Sequence, residues 1–235
     1  MRDHITSGSG SAAAAATAFA LALATLAHGG SAHAQFDPLD GRTGLCITAR
    51  GGYGAVTSQT PFAGTTYSNS DGSFTFNAEA GYRIVPLLSV GLHGGYQILP
   101  PHGTGFLSSS GGVGMLGAHL RIHPLGLIPS LPILDRIDLH VGVGFDPYVS
   151  GWQTTQLFAD VNAHASWSAV GVPITVGLDL YLLGPLGLSV LGGYSPWWAT
   201  SSCIESSCSS PSGNTQIGYW FLTAGLSLRF NVLHH

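Results

Sequence analysis

Eight ionisable side chains stand at positions where they could act together: Arg50, Glu79, Arg83, His93, His119, Arg121, His140 and Asp179. Each sits in a segment where polar and apolar residues alternate, and each falls on the polar side. In SFTFNAEAGYRIV (73–85), Phe74, Phe76, Ala78, Ala80, Tyr82 and Ile84 take one set of places, while Glu79 and Arg83 fall in the other. Alternation at period two places the two sets on opposite faces of a β-strand. Charged groups shut away from bulk water must be paired or hydrogen-bonded. The expected arrangement is therefore a neutralised network in which Arg50 and Arg83 pair with Glu79 and Asp179. The imidazoles fill the remaining donor and acceptor places, and Arg121 shares the layer. The competing chemistry is a zinc site, since three imidazoles on neighbouring strands could satisfy that ion. The charged network is preferred, with no metal ligands and no cofactor assigned. Catalysis finds less support. Every strand histidine lies on the polar side, no serine–histidine pair appears on the apolar side, and His102 and His164 lie in connecting stretches. No catalytic residue is assigned.

Seven further segments carry the same alternation: 45–56, 88–98, 116–123, 137–145, 170–182, 186–194 and 220–230. The connections alternate as well. Val85-Pro86-Leu87 and Leu183-Gly184-Pro185 are short, whereas 57–72, 99–112, 147–166 and 195–215 are long and rich in Ser, Thr, Gly and Pro. Such alternation of tight turns and long loops is expected of an up-and-down antiparallel barrel whose even strand count leaves both termini on one side. The exception is PLGLIPSLPILDR (124–136), too long for a tight turn, which is expected to form a small apolar cap. Pro173 lacks an N–H and has inward parity, so a bulge is expected in the sixth strand.

Which face lies inside follows from composition. Charged residues are 8% of the chain and lysine is absent, against roughly a quarter for soluble domains. No basic stripe exists to neutralise phosphates, which argues against nucleic acid as a partner. Arg2 followed by the Ala/Leu-rich run 12–27 and by Ala32-His33-Ala34 has the layout of a secretory signal peptide. Residues 1–34 are expected to be cleaved, leaving 35–43 as a periplasmic lead-in and 44–235 as the barrel. An exported, charge-poor, Gly-rich chain with no long apolar run after that leader fits an all-β, eight-stranded transmembrane barrel. The apolar faces then meet lipid and the ionisable groups meet one another.

Aromatic residues support this orientation. Tyr53, Phe74, Phe76, Tyr96, Phe145, Trp167, Tyr194, Trp197 and Trp220 are expected in a girdle beside the long loops. Tyr82, Tyr181 and Phe230 gather at the other end, although Tyr181 has inward parity. Cys203 and Cys208, in CIESSC, suit a disulfide in an oxidising compartment, because no second pair completes a zinc site. Cys46 is left as a small inward filler.

The last segment contains TAGLSLRF (223–230), in which Thr223, Gly225, Leu228 and Phe230 fit the pattern polar, any, Gly, any, any, hydrophobic, any, aromatic. This is similar to the C-terminal β-signal of outer-membrane proteins, although here NVLHH follows the aromatic. Taken whole, the chain resembles a small bacterial outer-membrane β-barrel protein of the OmpA-like or OmpX-like kind. The resemblance implies an outer-membrane location, lipid and the assembly machinery as partners, and a plugged structural or surface-recognition scaffold. An extracellular ligand would be met through loops 57–72, 99–112, 147–166 and 195–215. A narrow pore is the second expectation and a lipid A-modifying barrel enzyme the third.

Overall fold

The computed structural model describes residues 43–58, 72–102, 108–128, 136–158, 161–183, 185–204, 207–210 and 216–230. The strands are β1 (Gly44–Ser58), β2 (Ser73–Val85), β3 (Leu88–His102), β4 (Ser108–Ile122), β5 (Ile137–Phe158), β6 (Val161–Gly171), β7 (Ile174–Leu183), β8 (Leu186–Ile204), β9 (Ser207–Ser209) and β10 (Gln216–Phe230). Every pairing is antiparallel. Neighbours in sequence pair from β1 to β5, and β10 pairs with both β1 and β8, which closes the ring.

Ten strands make eight staves, because β6 and β7 form one and β9 lies off the ring. The upper part of β5 pairs with β6 and its lower part with β7, and β8 likewise pairs with both. The break falls at Val172-Pro173, but the register against β5 and β8 is the same on both sides of it, so the ladder is interrupted without the bulge expected there. There Gly144 donates its N–H to the Pro173 carbonyl at 2.8 Å, and Val172 donates to the Pro196 carbonyl at 3.2 Å. β9 is a short return pairing onto β8. A closed ring leaves no stave with an unpaired edge inside lipid, the condition for crossing a membrane with strands.

The alternation of the sequence becomes an inside and an outside. Phe76, Leu92, Leu116, Ile174 and Leu222 are each more than half exposed, and nearly all the other outward positions in their band are apolar. So continuous an apolar surface is stable only against hydrocarbon. The opposite faces carry Arg50, Glu79, Arg83, His119, Arg121, His140 and Asp179, all buried.

Strand lengths depart from expectation. β4 begins at Ser108, β5 runs to Phe158, β6 begins at Val161, β8 runs to Ile204 and β10 begins at Gln216. Much of 147–166 and 195–215 is therefore paired strand instead of loop. Ser, Thr and Gly there do not oppose pairing, because the cross-strand ladder is made by the backbone. The connection after β4 opens with a single 3₁₀ turn, Pro124–Leu127, tied to the β2–β3 turn by the His123 N–H donating to the Leu87 carbonyl at 2.8 Å. Leu127 and Ile128 are exposed, so this turn does not make the packed apolar cap expected; residues 129–135 lie outside the described residues, as does the NVLHH tail.

At the seam that closes the ring, backbones approach too closely for side chains. A Cβ on Gly225 would stand 2.0 Å from the Ala49 carbonyl oxygen, and one on Gly52 would stand 2.2 Å from that of Leu222. Only glycine fits either place.

Candidate functional site in the barrel lumen

The lumen is packed in two layers. The lower layer is ionic. Glu79 on β2 receives Arg50 from β1 at 2.8 Å and Arg121 from β4, whose Nη1 donates to Oε2 at 2.8 Å and whose Nη2 meets Oε1. Arg50 also donates through Nε to Ser189 Oγ at 2.7 Å. Asp138 on β5 is a second centre. Arg83 Nη1 donates to its Oδ2 at 2.8 Å, Arg229 Nη2 donates to the same oxygen at 2.7 Å, and His123 Nδ1 stands 3.0 Å from Oδ1. His123 Nε2 meets Ser89 Oγ at 2.8 Å, and the Arg229 guanidinium lies 4.1 Å from the centre of the Tyr181 ring. Two carboxylates thus hold four guanidiniums, and the fork geometry of arginine suits such sharing.

The remaining carboxylates lack a guanidinium. Asp146 takes His93 Nε2 at 2.6 Å, and His93 Nδ1 stands 3.4 Å from His119 Nδ1. Asp179 has His140 Nδ1 at 3.7 Å, beyond hydrogen-bonding reach. The expected pairing is corrected accordingly. Arg50 does meet Glu79, but Arg83 meets Asp138 and not Glu79 or Asp179. Strand shear, which shifts heights around the ring, decides such partners. Asp138, Asp146, His123 and Arg229 belong to the network although the sequence expectation omits them. Their inward parity is the available signal. The three-imidazole zinc reading also falls, since no group of three or more His, Cys, Asp or Glu among the described residues could hold a metal ion.

The upper layer is aromatic. Trp197 stacks on Tyr219 with ring centres 4.8 Å apart, Tyr219 on Phe221 at 5.3 Å, and Trp167 meets Trp197 at 5.8 Å. Val56, Val113, Val149, Leu191 and Ile217 complete the cluster, which is buried throughout. Tyr219 Oη and Thr75 Oγ1 are 2.9 Å apart, and Gln97 donates to Ser73 Oγ at 2.6 Å and to the Gly54 carbonyl at 3.1 Å. This overturns the girdle position expected of Trp167 and Trp197, which fill the lumen. Tyr53, Phe74, Phe76, Tyr96, Phe145, Tyr194 and Trp220 do face outward.

Among the described residues, cavities of about 30 Å³ lie between these side chains. One touches His93, His119 and Asp146 and reaches up to Tyr219; the other lies among Arg83, Asp138, His140 and Arg229. Each is large enough to hold water.

On the closing strand, Thr223 points inward, donating to the Leu191 carbonyl at 3.2 Å and accepting from Asn77 at 3.3 Å. Gly225 lies at the seam opposite Arg50, while Leu228 and Phe230 face outward. Cys203 and Cys208 are joined by a disulfide across the β8–β9 pairing. Cys46 Sγ lies 3.3 Å from Ser227 Oγ inside the lower lumen.

No family model and no curated protein matches the sequence. Solved structures do. Neisserial surface protein A (NspA) superposes with a TM-score of 0.51 at 12% identity, over 79% of this chain and 97% of that one. A major outer membrane protein from Thermus thermophilus gives 0.51 at 16% identity, over 79% and 99%. The outer membrane protein OprG from Pseudomonas aeruginosa gives 0.47 at 14%, over 83% and 100%. With its closed ring of eight antiparallel staves, greasy outside and charged within, the chain has the fold of the small outer-membrane β-barrels.

Proposed function

We propose that this chain is an outer-membrane scaffold with a closed lumen, whose work is done on its external face and not through its interior. The observation that carries the reading is the filling of the lumen by two unlike layers, with residual cavities of about 30 Å³. Hydrated ions need a continuous wet path. The stacked Trp197, Tyr219 and Phe221 rings and the Arg50–Glu79–Arg121 cluster both stand across it. An eight-stranded barrel is only just wide enough for its own side chains. Lipid is the partner of the outer band. The closing strand, with Thr223, Gly225, Leu228 and Phe230, is the segment offered to the assembly machinery.

External contacts fall to the strand extensions of β4, β5, β6, β8 and β9 and to the loops they carry. Exposed loops held on a rigid frame suit recognition, and the Cys203–Cys208 disulfide pins one of them. Planar-bilayer recording of the purified, refolded barrel tests the proposal. Silence at several hundred millivolts is expected. Reproducible unitary steps would replace the scaffold with a pore.

A further inference from the structure

On the flank formed by β4, β5, β6 and β8, the outward face changes character within one row of paired residues. Leu116 lies opposite Tyr148, and Val170 lies opposite Trp198, at the upper edge of the apolar band. One row higher, Gly114, Ser150, Ser168 and Ser201 lie opposite one another in turn across the four strands. Higher again, Trp152 stands between Gly112 and Ser166. Alternation fixes the direction of these side chains. Val149, Trp167 and Trp197 are buried in the lumen, whereas Tyr148, Trp152 and Trp198 are 55%, 44% and 38% exposed. Ser201 shares the face of its partner Ser168. With strands about 4.8 Å apart, the serine row is a strip about 14 Å long.

The strip sets hydroxyls on a floor of small residues, with aromatic rings along both its edges. A pyranose has the matching surfaces, hydroxyls around its rim and C–H groups on its faces that pack against indole and phenol rings. Large aromatic side chains give such a contact area at little cost in side-chain entropy. Among these outward positions there is no Asp, Glu, Lys or Arg. A phosphate or sulfate would find no guanidinium or ammonium to hold it, so the matching sugar is uncharged. The strip is also continuous with the band that meets lipid. A sugar carried on an acyl lipid arrives at this height, with its chains already on the apolar staves below.

We propose that Ser150, Ser168 and Ser201, edged by Tyr148, Trp152 and Trp198, seat the uncharged sugar headgroup of an outer-leaflet glycolipid. The assignment rests on the external-face role and gives that face a partner.

The test is titration of the refolded barrel, in micelles of a sugar-free detergent, with dihexosyl diacylglycerol, bound species being counted by native mass spectrometry. Phosphatidylglycerol with the same acyl chains and the free disaccharide are the comparison ligands. The dihexosyl lipid is expected to bind at least tenfold more tightly than either. Replacing Ser150→Ala and Ser168→Ala together, or Trp198→Leu alone, should weaken it at least fivefold and leave phosphatidylglycerol unchanged. The proposal is overturned by equal binding of the two lipids, or by variants that hold the dihexosyl lipid as the parent does. It is overturned equally by lipid A, whose disaccharide carries phosphates, binding more tightly than the uncharged headgroup. Free disaccharide binding as well as the lipid would overturn the membrane source of the sugar. Should Trp198→Leu lose heat-modifiable migration, the serine double variant decides. Bilayer silence is a separate readout, so either reading can fail alone.

Discussion

Glu79 is one of the two anions around which the lower lumen is organised, and its loss should be felt more than that of Asp179. With Arg50 and Arg121 both upon it, Glu79→Gln leaves two buried guanidiniums facing a neutral amide. Breaking a buried ion pair by removing one partner costs about 3–5 kcal/mol. A lower urea midpoint for unfolding in detergent micelles is the expected readout. Asp179, with no guanidinium, His140 at 3.7 Å and the Ser189 hydroxyl opposite it, should tolerate Asn with a change well below that of Glu79→Gln in the same titration. That Glu79 points inward is legible from alternation alone, since Phe74, Phe76, Ala78 and Ala80 take the other places. Which arginine reaches it is not. Partners depend on the stagger between staves, and a one-dimensional pattern carries no stagger. Arg83 accordingly meets Asp138, not Asp179.

The closing strand shows a constraint that belongs to an element and not to one side chain. β10 must lie against β1 so closely that Gly225 faces the Ala49 carbonyl. A Cβ 2.0 Å from a backbone oxygen cannot be relieved by a rotamer change, so Gly225→Val should prevent ring closure. The readout is loss of the faster-migrating unheated band on a semi-native gel. The hairpin of β8 and β9 is the opposite case. Its disulfide closes a loop with a sequence separation of 5, worth about 2 kcal/mol in the chain-entropy treatment. The effect is local, because β9 pairs only with β8. Reduction should raise amide exchange in 202–209 and leave the exchange of 44–58 unchanged. Here the limits of reading a sequence are plain. The Cys pair is legible as a staple, but 195–204 reads as loop because Ser, Thr and Pro are frequent in it. Continuing the alternation from Ser189 and Leu191 through Ser195 to Trp197 reaches an inward tryptophan. β5 hides its continuation differently. Its register against β6 slips between Asp146 and Val149, so inward parity passes from even to odd numbers and the pattern looks broken.

For the molecule as a whole, the scaffold proposed above predicts that each of the two lumen layers, ionic and aromatic, suffices alone to block current. Trp197→Ala removes the centre of the aromatic stack yet leaves the Arg50–Glu79–Arg121 layer intact, so bilayers should stay silent. Combining it with Glu79→Ala and Arg121→Ala is expected to give measurable current, provided the triple variant still shows heat-modifiable migration. Current from Trp197→Ala alone would show that the ionic layer does not seal. The staves also differ in height. β5 has 22 residues and β8 has 19, against 13 in β2. At about 3.3 Å per residue and a tilt near 40°, β5 rises some 55 Å, roughly twice the 25 Å apolar band of such barrels. One flank therefore stands as a hydrogen-bonded parapet well beyond the apolar band while the other ends near it. On the external-face role proposed above, a partner would meet a stiff, lopsided ridge and could distinguish one side of the cylinder from the other.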